Sequence, residues 1–287
     1  MFNDLISIIL PIYNEEKSIK ATITDIKNTC EQNGINYEII AVNDCSKDNS
    51  AAILETIPNI RLIHHKINQG YGAALKTGIK NAKGEWILIT DVDGTYPNQD
   101  ILRLISQLPD YDMVVGSRTG AMVKIPFFRR PAKAFLNKFT SYLSGHKIVD
   151  INSGLRVFKK SIVEKYWSLF PDRFSFTSTL TMVCFTKGYL VKYLPIDYFQ
   201  REGKSNIKPR NFLDFLNLVI KLSLFFKPIK VFGPISLVIL LGAIFLIIAF
   251  FTGLTSKFLD TTFIVLCATS LQTFFFGLIA EIVTHNK

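Results

Sequence analysis

Short apolar segments alternate with longer stretches of helical periodicity over the part of the chain that precedes Gly116. The strand-length segments are Ile6–Leu10, Tyr37–Val42, Ile60–His64, Trp86–Thr90 and Met113–Val115. The helical stretches between them are Glu15–Cys30, Asp48–Ile57, Tyr71–Ala82 and Gln99–Gln107. Alternation of this kind predicts an α/β fold built on a mostly parallel sheet. After Gly116 the pattern loosens, and we assign a separate subregion to residues 117–210.

The last quarter of the chain has a different pattern. Pro234–Thr252 and Thr261–Ala280 contain no charged residue, and each is long enough to span about 30 Å of hydrocarbon as a helix. Two buried helices of a soluble core are the alternative, but such helices usually carry a polar face. The linker Thr255–Asp260 is too short to hold a domain, so we expect a transmembrane hairpin.

Basic residues indicate the orientation of this hairpin. Lys221, Lys227 and Lys230 precede it and Lys287 follows it, whereas Lys257 alone lies in the linker. The positive-inside bias therefore places the N-terminal part and the C-terminus in the cytoplasm, with the protein in the cytoplasmic (inner) membrane. No signal peptide is expected at the N-terminus.

One stretch before the hairpin is amphipathic. Asn211–Phe226 carries polar residues at 211, 214, 217 and 221, which form a single stripe on an apolar helix. This spacing suits a helix in the membrane interface, and a helix facing the soluble core is the alternative. The sequence thus divides into residues 1–210, a juxtamembrane helix at 211–230, and a hairpin at 231–287.

Charge and cysteine content narrow the classes of partner. The formal net charge is +10, and basic residues gather in Arg118–Lys133, in Arg201–Arg210 and before the first span. Because no nucleic-acid motif accompanies them, we expect membrane lipids or a lipid phosphate, and no nucleic acid, as partners. The four cysteines lack paired spacing, which fits a reducing compartment, and zinc is not expected.

Two carboxylates one residue apart, Asp91 and Asp93, directly follow the fourth apolar segment. Open parallel sheets bind their ligands at the carboxyl ends of strands. Mg²⁺ takes one or two carboxylates there and completes its coordination with water and phosphate oxygens. The pair therefore indicates a divalent cation with a diphosphate, although a solvated turn would also explain it.

Further polar residues fall at the same edge of the predicted sheet. Pro11, Tyr13 and Glu15 lie at the end of the first strand, Asp44 follows the second, and Lys76 lies in a glycine-rich helix start. An aromatic ring can border a base, and carboxylates can accept hydrogen bonds from ribose or base, so we expect a nucleotide site. Each residue alone could instead cap a helix or a turn.

Taken together the motifs are specific. Pro-Ile-Tyr-Asn-Glu, Asn-Asp-x-Ser, Asn-x-Gly-x-Gly-x-Ala, Asp-Val-Asp-Gly, Gly-Ser-Arg and Arg-x-Gly-x-Ser occur in this order between residue 5 and about residue 210. This succession resembles the family 2 glycosyltransferases, and within them the polyprenyl-phosphate glycosyltransferases. That group contains dolichol-phosphate mannose synthase and the bacterial undecaprenyl-phosphate sugar transferases. The resemblance implies a GT-A catalytic domain, Rossmann-like with a mostly parallel sheet, followed by an interfacial amphipathic helix and two transmembrane helices.

The resemblance also implies donor-side roles. A nucleotide-diphosphate sugar, UDP- or GDP-linked, would be bound through Asp44 and the first-strand cluster. Mg²⁺ or Mn²⁺ would be bound by Asp91 and Asp93, and Thr95 occupies a position that often adds a metal ligand such as Gln. Thr95 departs from that residue, so direct coordination at this position stays open. Asn43 and Cys45 stand where Asp and Gly are common, so the base preference stays open as well.

On the acceptor side, the expected binding residues are Ser117, Arg118, Asp150, Ser153 and Arg156. Two arginines can hold a lipid monophosphate by forked hydrogen bonds. The expected catalytic residues are Asp93 and these two arginines, and direct attack by the phosphate on the anomeric carbon would invert its configuration. In the family the region of Arg201 and Ser205 covers the donor, so both are expected to bind substrate.

The hypothesis is thus a metal-dependent transferase of a hexose-type sugar to polyprenyl phosphate, undecaprenyl or dolichyl, that supplies a lipid-linked sugar for modification of cell-envelope glycans. Alternatives are a catalytically degenerate membrane scaffold or regulator, and a glycosyltransferase with a different lipid or glycan acceptor. A processive polysaccharide synthase is disfavoured because the sequence lacks a Gln-x-x-Arg-Trp segment. A sugar-nucleotide pyrophosphorylase is disfavoured because no basic glycine-rich loop follows the first strand. A homo-oligomer is compatible with the two-span anchor.

Overall fold

A computed structural model describes residues 3–123, 130–172, 175–200, 220, 223–225, 227–254 and 260–285. It divides into two compact units. The first unit comprises Met1–Ser141 and His146–Leu216, and the second comprises Tyr142–Gly145 and Asn217–Lys287.

A seven-stranded sheet forms the centre of the first unit. Its strands are β1 Ile6–Ile12, β2 Tyr37–Asn43, β3 Arg61–His64, β4 Trp86–Ile89, β5 Met113–Val123, β6 Arg156–Lys159 and β7 Val191–Tyr198. The strand order is β3-β2-β1-β4-β6-β5-β7. All described pairs are parallel except those that β6 forms with β4 and with β5. The predicted mostly parallel α/β fold is therefore confirmed.

Seven helices of the described residues belong wholly or largely to this unit. They are α1 Ile19–Gln32, α2 Ser50–Glu55, α3 Tyr71–Asn81, α4 Asp100–Ile105, α5 Arg130–Ser144, α6 Lys160–Lys165 and α7 Phe176–Thr186. The first four coincide with the predicted helical stretches: α2, α3 and α4 lie within them, and α1 starts later and ends two residues further on. The last residues of α5 group with the second unit.

The core is centred on β1, where Ile6, Ile8 and Leu10 are fully buried. A strand between two parallel neighbours is covered on both faces, which is why β1 is a nearly continuous apolar run. The helix α1 packs its Ile19, Ile23 and Ile26 into the same core at three- and four-residue spacing.

The sheet extends beyond what the pattern predicted. The structure adds β6, β7 and the second half of β5, all within residues 117–210. Because β6 is only four residues long and begins with an arginine, it gives no apolar run to detect. β7 is mostly half-buried at the edge of the sheet and includes Pro195, which edge strands tolerate.

The second unit contains two long helices, α8 Ile229–Phe251 and α9 Asp260–His285. The Ser236 hydroxyl donates to the Ser270 carbonyl at 3.0 Å, and the Ser270 hydroxyl donates to the Ser236 carbonyl at 2.9 Å. Nearer the start of α8, the Ile229 amide donates to the Glu281 carboxylate at 3.1 Å. These contacts run in opposite sequence directions, so the helices are antiparallel.

Both helices are long and apolar enough to cross a membrane, and most residues of their apolar stretches are exposed in the structure. The two predicted apolar spans are therefore present as helices. The predicted amphipathic helix at Asn211–Phe226 lies largely outside the described residues, and so does the linker between the spans except for Asp260.

Candidate active site

The loop after β4 holds the carboxylate of Asp93 in a fixed position. Oδ1 of Asp93 accepts a hydrogen bond from the Thr95 hydroxyl at 2.6 Å and from the Thr95 amide at 3.2 Å. Gly94 lies between them with φ +73°, a left-handed conformation that favours glycine. Asp93 is almost fully buried and Thr95 is completely buried. Thr95, expected as a metal ligand, thus orients the carboxylate of Asp93.

Asp91 lies against the backbone of the segment that leads into β6. A Cβ atom placed on Gly154 would lie 2.6 Å from Oδ2 of Asp91, closer than non-bonded atoms approach. The hydroxyl of Tyr71, the first residue of α3, hydrogen-bonds to Asp91. Burial, followed by the negative charge of Asp91, raises the pKa of Tyr71, so the phenol keeps its proton and donates it to the carboxylate.

Two further tyrosines surround the pair. The Tyr96 and Tyr198 rings meet edge to face with centroids 5.3 Å apart, and the Tyr96 hydroxyl accepts from the Gly154 amide at 2.7 Å. The Tyr198 hydroxyl is hydrogen-bonded to the Thr95 side chain. Burial raises the pKa of both phenols, so they stay neutral. Tyrosines therefore line the carboxylate pair.

Asp44, the expected nucleotide ligand, is tied to the loop that starts α3. Its carboxylate accepts from the amides of Gln69 and Gly70, both at 2.8 Å, and lies 2.7 Å from Nδ1 of His65. The other ring nitrogen of His65 is 2.9 Å from the Thr77 hydroxyl. The carboxylate of Asp44 thus fixes the glycine-rich loop, and only its remaining acceptor capacity is left for a nucleotide.

Hydrogen bonds join the loops after β1 and β2. Asn14 donates its amide to the Ser46 hydroxyl at 3.0 Å and accepts from the Lys47 amide at 2.7 Å, and Glu15 donates its amide to the Ser50 hydroxyl at 2.9 Å. Pro11 and Tyr13 are half-buried beside these contacts. The first-strand cluster and the Asp44 loop therefore lie together, as the parallel strands require.

Lys76 is directed to another part of the first unit. Its ammonium group forms an ion pair with Asp172 at 2.7 Å and lies 5.6 Å from the centre of the Trp167 ring. The backbone of Asp172 also accepts from the Ala73 amide at 2.6 Å. These contacts anchor α3 to the residues before α7, so Lys76 has a structural role besides the nucleotide binding expected of it.

Arg118 and Asp150, both expected to bind the acceptor, bind each other. Nε and Nη2 of Arg118 donate to the two oxygens of Asp150, both at 2.8 Å, and the Arg118 amide donates to the same carboxylate at 3.1 Å. The guanidinium carbon lies 5.2 Å from the centre of the Tyr198 ring. The Nε–Nη2 edge of the guanidinium is thereby used by Asp150, and the N–H groups of Nη1 remain for a ligand.

Arg156 is fully buried and donates to protein groups. Its guanidinium donates to the carbonyls of Ser153 and Thr177 at 3.0 and 2.9 Å, and to the Thr181 hydroxyl at 3.0 Å. Burial lowers the pKa of Arg156, although nearby Tyr193 and Tyr71 oppose this effect. These contacts favour a structural role for Arg156 over the phosphate contact that the sequence suggested.

The two serines expected on the acceptor side are also buried. The Ser117 hydroxyl donates to the Leu194 carbonyl at 3.1 Å, and the Ser153 hydroxyl donates to the Gly116 carbonyl. Both therefore hold strands and loops together. Arg201 and Ser205 lie outside the described residues.

The structure thus brings the expected donor-side and acceptor-side residues together. Tyr198 joins them, because its hydroxyl bonds to Thr95 beside the carboxylate pair and its ring lies against Arg118, which binds Asp150. Four residues of this arrangement, Tyr71, Tyr96, Gly154 and Tyr198, were not expected from the sequence. Tyr96 follows the carboxylate pair closely and Tyr71 begins the glycine-rich helix, so position along the chain could have indicated these two.

The donor set fits a hard divalent cation. Among the described residues no group of three His, Cys, Asp or Glu side chains could hold a metal ion, so the carboxylate pair would act with a bound phosphate. Mg²⁺ commonly binds through one or two carboxylates and substrate phosphates in this way. Asp91 and Asp93 are therefore suitable ligands for a metal–diphosphate complex.

The fold and this strand-end carboxylate pair define a GT-A type domain. The Glycosyl transferase family 2 model matches residues 7–167, and the chain belongs to this family. A second model, the GtrB C-terminal hairpin, matches residues 227–285.

Related sequences match part of this chain. An undecaprenyl-phosphate 4-deoxy-4-formamido-L-arabinose transferase of Aeromonas hydrophila is 30% identical over 166 residues, which are 56% of this chain and 50% of that protein. The chain thus spans about half the length of that relative. An uncharacterised protein of Methanocaldococcus jannaschii is 30% identical over 202 residues, covering 67% of this chain and 81% of that protein.

Solved structures share the fold. S. aureus TarS 1-349 in complex with UDP-GlcNAc has a TM-score of 0.54 at 20% identity, covering 76% of this chain and 66% of that one. Glucosyl-3-phosphoglycerate synthase from Mycobacterium tuberculosis in complex with Mn²⁺, UDP and phosphoglyceric acid has a TM-score of 0.57 at 15% identity, covering 77% and 78%.

Proposed function

We propose that this protein transfers a hexose-type sugar from a UDP- or GDP-linked donor to polyprenyl phosphate at the cytoplasmic face of a membrane. The observation that carries the proposal is the pre-oriented pair Asp91 and Asp93 at the end of β4, in a chain that also matches the GtrB hairpin. The printed name of the A. hydrophila relative, an undecaprenyl-phosphate sugar transferase, supports the choice of acceptor.

Asp91 and Asp93 would hold Mg²⁺ or Mn²⁺. When bound, such a cation would neutralise the negative charge that develops on the departing nucleoside diphosphate. The Thr95 hydroxyl and the Tyr71 phenol keep the two carboxylates oriented, so little reorganisation is needed when donor binds. The Mn²⁺ and UDP in the M. tuberculosis structure are consistent with this donor chemistry.

Donor binding would involve the joined loops after β1 and β2. The half-buried Tyr13 can border the base, and Glu15 and Asp44 can accept from ribose or base donors. Asp44 also keeps the glycine-rich loop in place through the amides of Gln69 and Gly70. Removal of Asp44 would therefore disturb both the nucleotide contact and the loop that begins α3.

On the acceptor side, the free N–H groups of Arg118 would bind the lipid phosphate while Asp150 fixes the plane of the guanidinium. A phosphate monoester carries negative charge near pH 7, so its attack needs little help from a general base. Direct displacement at the anomeric carbon would invert the configuration. Arg156, Ser117 and Ser153 would support the site from within the fold, and Arg201 and Ser205 would cover the donor.

A transfer assay with undecaprenyl phosphate and radiolabelled nucleotide sugars tests the proposal. We expect a chloroform-soluble sugar phospholipid with Mg²⁺ or Mn²⁺ and none after chelation. Asp93→Asn should lower the rate by about 100-fold or more, because an oriented charge that stabilises the transition state is lost. Asp110→Asn is the matched control, since Asp110 is exposed and far along the chain from the pair.

Two results would count against the proposal. Unchanged product formation by Asp93→Asn would remove the metal role. Failure of the wild-type chain to bind UDP or GDP with Mn²⁺ in calorimetry would instead favour a catalytically inactive membrane scaffold. Transfer to a different lipid or glycan would correct the acceptor and keep the donor chemistry.

A further inference from the structure

Two lysines in the second unit cap the end of α5. Nζ of Lys227 donates to the carbonyl of Ser144 at 3.2 Å, and Nζ of Lys230 donates to the carbonyl of Tyr142 at 2.8 Å. The carbonyls at the end of a helix lack partners within the helix and carry partial negative charge. Both ammonium groups are thereby attracted to the same helix end.

The two ammonium groups border one small space. A Cβ atom placed on Gly145 would lie 3.1 Å from Nζ of Lys230 and 3.7 Å from Nζ of Lys227. In the described part of the chain neither lysine forms an ion pair with a carboxylate. The nearby carboxylate of Glu281 accepts the hydrogen bond of the Ile229 amide. Two like charges are thus held close together, and no acidic side chain in the described ranges lies at ion-pair distance from either.

The position of the pair along α8 corresponds to the headgroup region of a membrane, a step that rests on the proposed membrane placement. Twenty-three helical residues extend about 34 Å at ~1.5 Å each, somewhat more than ~30 Å of hydrocarbon. Lys230 is the second residue of α8, so it would lie among the headgroups. Tyr142, whose ring centre is 5.7 Å from Nζ of Lys230, is half exposed, as interfacial tyrosines are.

We propose that Lys227 and Lys230 form a binding site for the phosphate group of a lipid. Each ammonium group has three N–H donors and spends one on a helix carbonyl, so two on each lysine remain for phosphate oxygens. An anion with several oxygens can accept from both lysines at once and relieve their mutual repulsion. Phosphates are the anions that a membrane presents at this depth.

Binding of soluble lipid probes to the purified full chain in detergent tests this site. The probes are farnesyl phosphate, dioctanoyl-phosphatidylglycerol, the zwitterionic dioctanoyl-phosphatidylcholine and inorganic phosphate, each titrated without nucleotide sugar. We expect K227Q/K230Q to weaken the binding of the anionic lipids at least about tenfold, which corresponds to ~1.4 kcal/mol. The matched control K20Q/K83Q removes the same charge from exposed positions of the first unit and should bind as the wild type does.

The pattern across probes identifies the source of the phosphate. A loss confined to farnesyl phosphate supports a site for the monoester of a polyprenyl carrier, and an equal loss for phosphatidylglycerol supports a general lipid-phosphate site. Unchanged binding of both in K227Q/K230Q overturns the proposal, as does inorganic phosphate binding as tightly as the lipids. K227R/K230R, which keeps both charges, should retain binding. If the double glutamine variant unfolds, K227Q alone must weaken anionic lipid binding.

This test is independent of the proposed transfer reaction, because no donor is present and the readout is binding. Loss of lipid binding with intact transfer to soluble acceptor would leave the transferase proposal standing. Intact lipid binding in a chain without transfer activity would leave the lysine site standing.

Discussion

The loop after β4 and the segment that leads into β6 both bury charged side chains, but they satisfy them differently. In the loop, Asp93 accepts from Thr95 through one oxygen. Where that segment ends, Arg156, the first residue of β6, donates to three carbonyls and a hydroxyl and has no exposed surface. The first arrangement orients a carboxylate at the edge of the sheet, whereas the second uses the donors of a guanidinium inside the fold. Burial alone therefore does not separate a binding residue from a structural one, and the partners do.

The largest effect we expect is on stability, at Arg156. Arg156→Ala would remove the guanidinium donors of the Ser153 carbonyl and leave a cavity in the interior, at a cost of about 3–5 kcal/mol. Thermal unfolding in detergent measures the change. A stable variant that loses only transfer activity would show instead that Arg156 contacts substrate, and would erase the contrast between the two regions.

A smaller effect is expected where the regions meet, at Gly154. The Cβ of Gly154→Ala would push the carboxylate of Asp91 from its position, and a displacement of this size can cost up to about 100-fold in rate. When the transfer rate is measured at increasing metal concentration, Gly154→Ala should need more metal than the wild type to reach half of its maximal rate. Gly242→Ala is the control, since a Cβ there meets no atom within 4 Å. Equal rates for the two variants would show that the Asp91–Gly154 contact is irrelevant to activity.

A tenfold effect is expected at Thr95. Thr95→Val keeps the shape but removes the hydroxyl that donates to Asp93, so the rate should fall about tenfold and stability should fall by about 1–3 kcal/mol. Thr95→Ser, which keeps the hydroxyl, should retain most of the activity. Loss of activity in both variants would show that the methyl group of Thr95, rather than its hydroxyl, is what activity requires.

The smallest effect is expected at Asp48, in the joined loops. Burial raises the pKa of the Asp48 carboxyl, but hydrogen bonds from Ser50 and Glu16 outweigh burial and hold the pKa below its usual value of 3.8. The carboxylate therefore stabilises the fold above that pH, and the gain is lost as pH falls through the lowered pKa. Asp48→Asn should cost less than about 1 kcal/mol at pH 7. Unfolding curves of the two proteins should converge below pH 4, and a constant difference would contradict this.

The sequence predicted the first half of the sheet because each strand there is a continuous buried run between turn residues, as β1 and β4 show. It also placed Asp91 and Asp93 correctly at the end of β4. It could not predict β6, whose four residues include two charged ones. Nor could it show that Arg156 lies inside, because a charged residue in a polar cluster is ordinarily exposed.

The sequence identified charged residues of the site one by one, but not which of them bind each other. Arg118 and Asp150 are separated by 31 residues in the chain, and the antiparallel pairing of β5 with β6 brings them together. The same holds for Asp44 and His65, which the parallel pairing of β2 with β3 aligns. Such partners depend on strand order, which local patterns do not contain.

The reversed direction of β6 has a geometric consequence. β6 is hydrogen-bonded to β4 on one side and to β5 on the other, so it has no free edge along which to slide. A slip by one residue would break both ladders and exchange the faces of Arg156 and Val157. Main-chain register therefore places the backbone of Gly154 beside the end of β4, where Asp91 lies. Repacking of surface residues around the sheet should leave that placement unchanged.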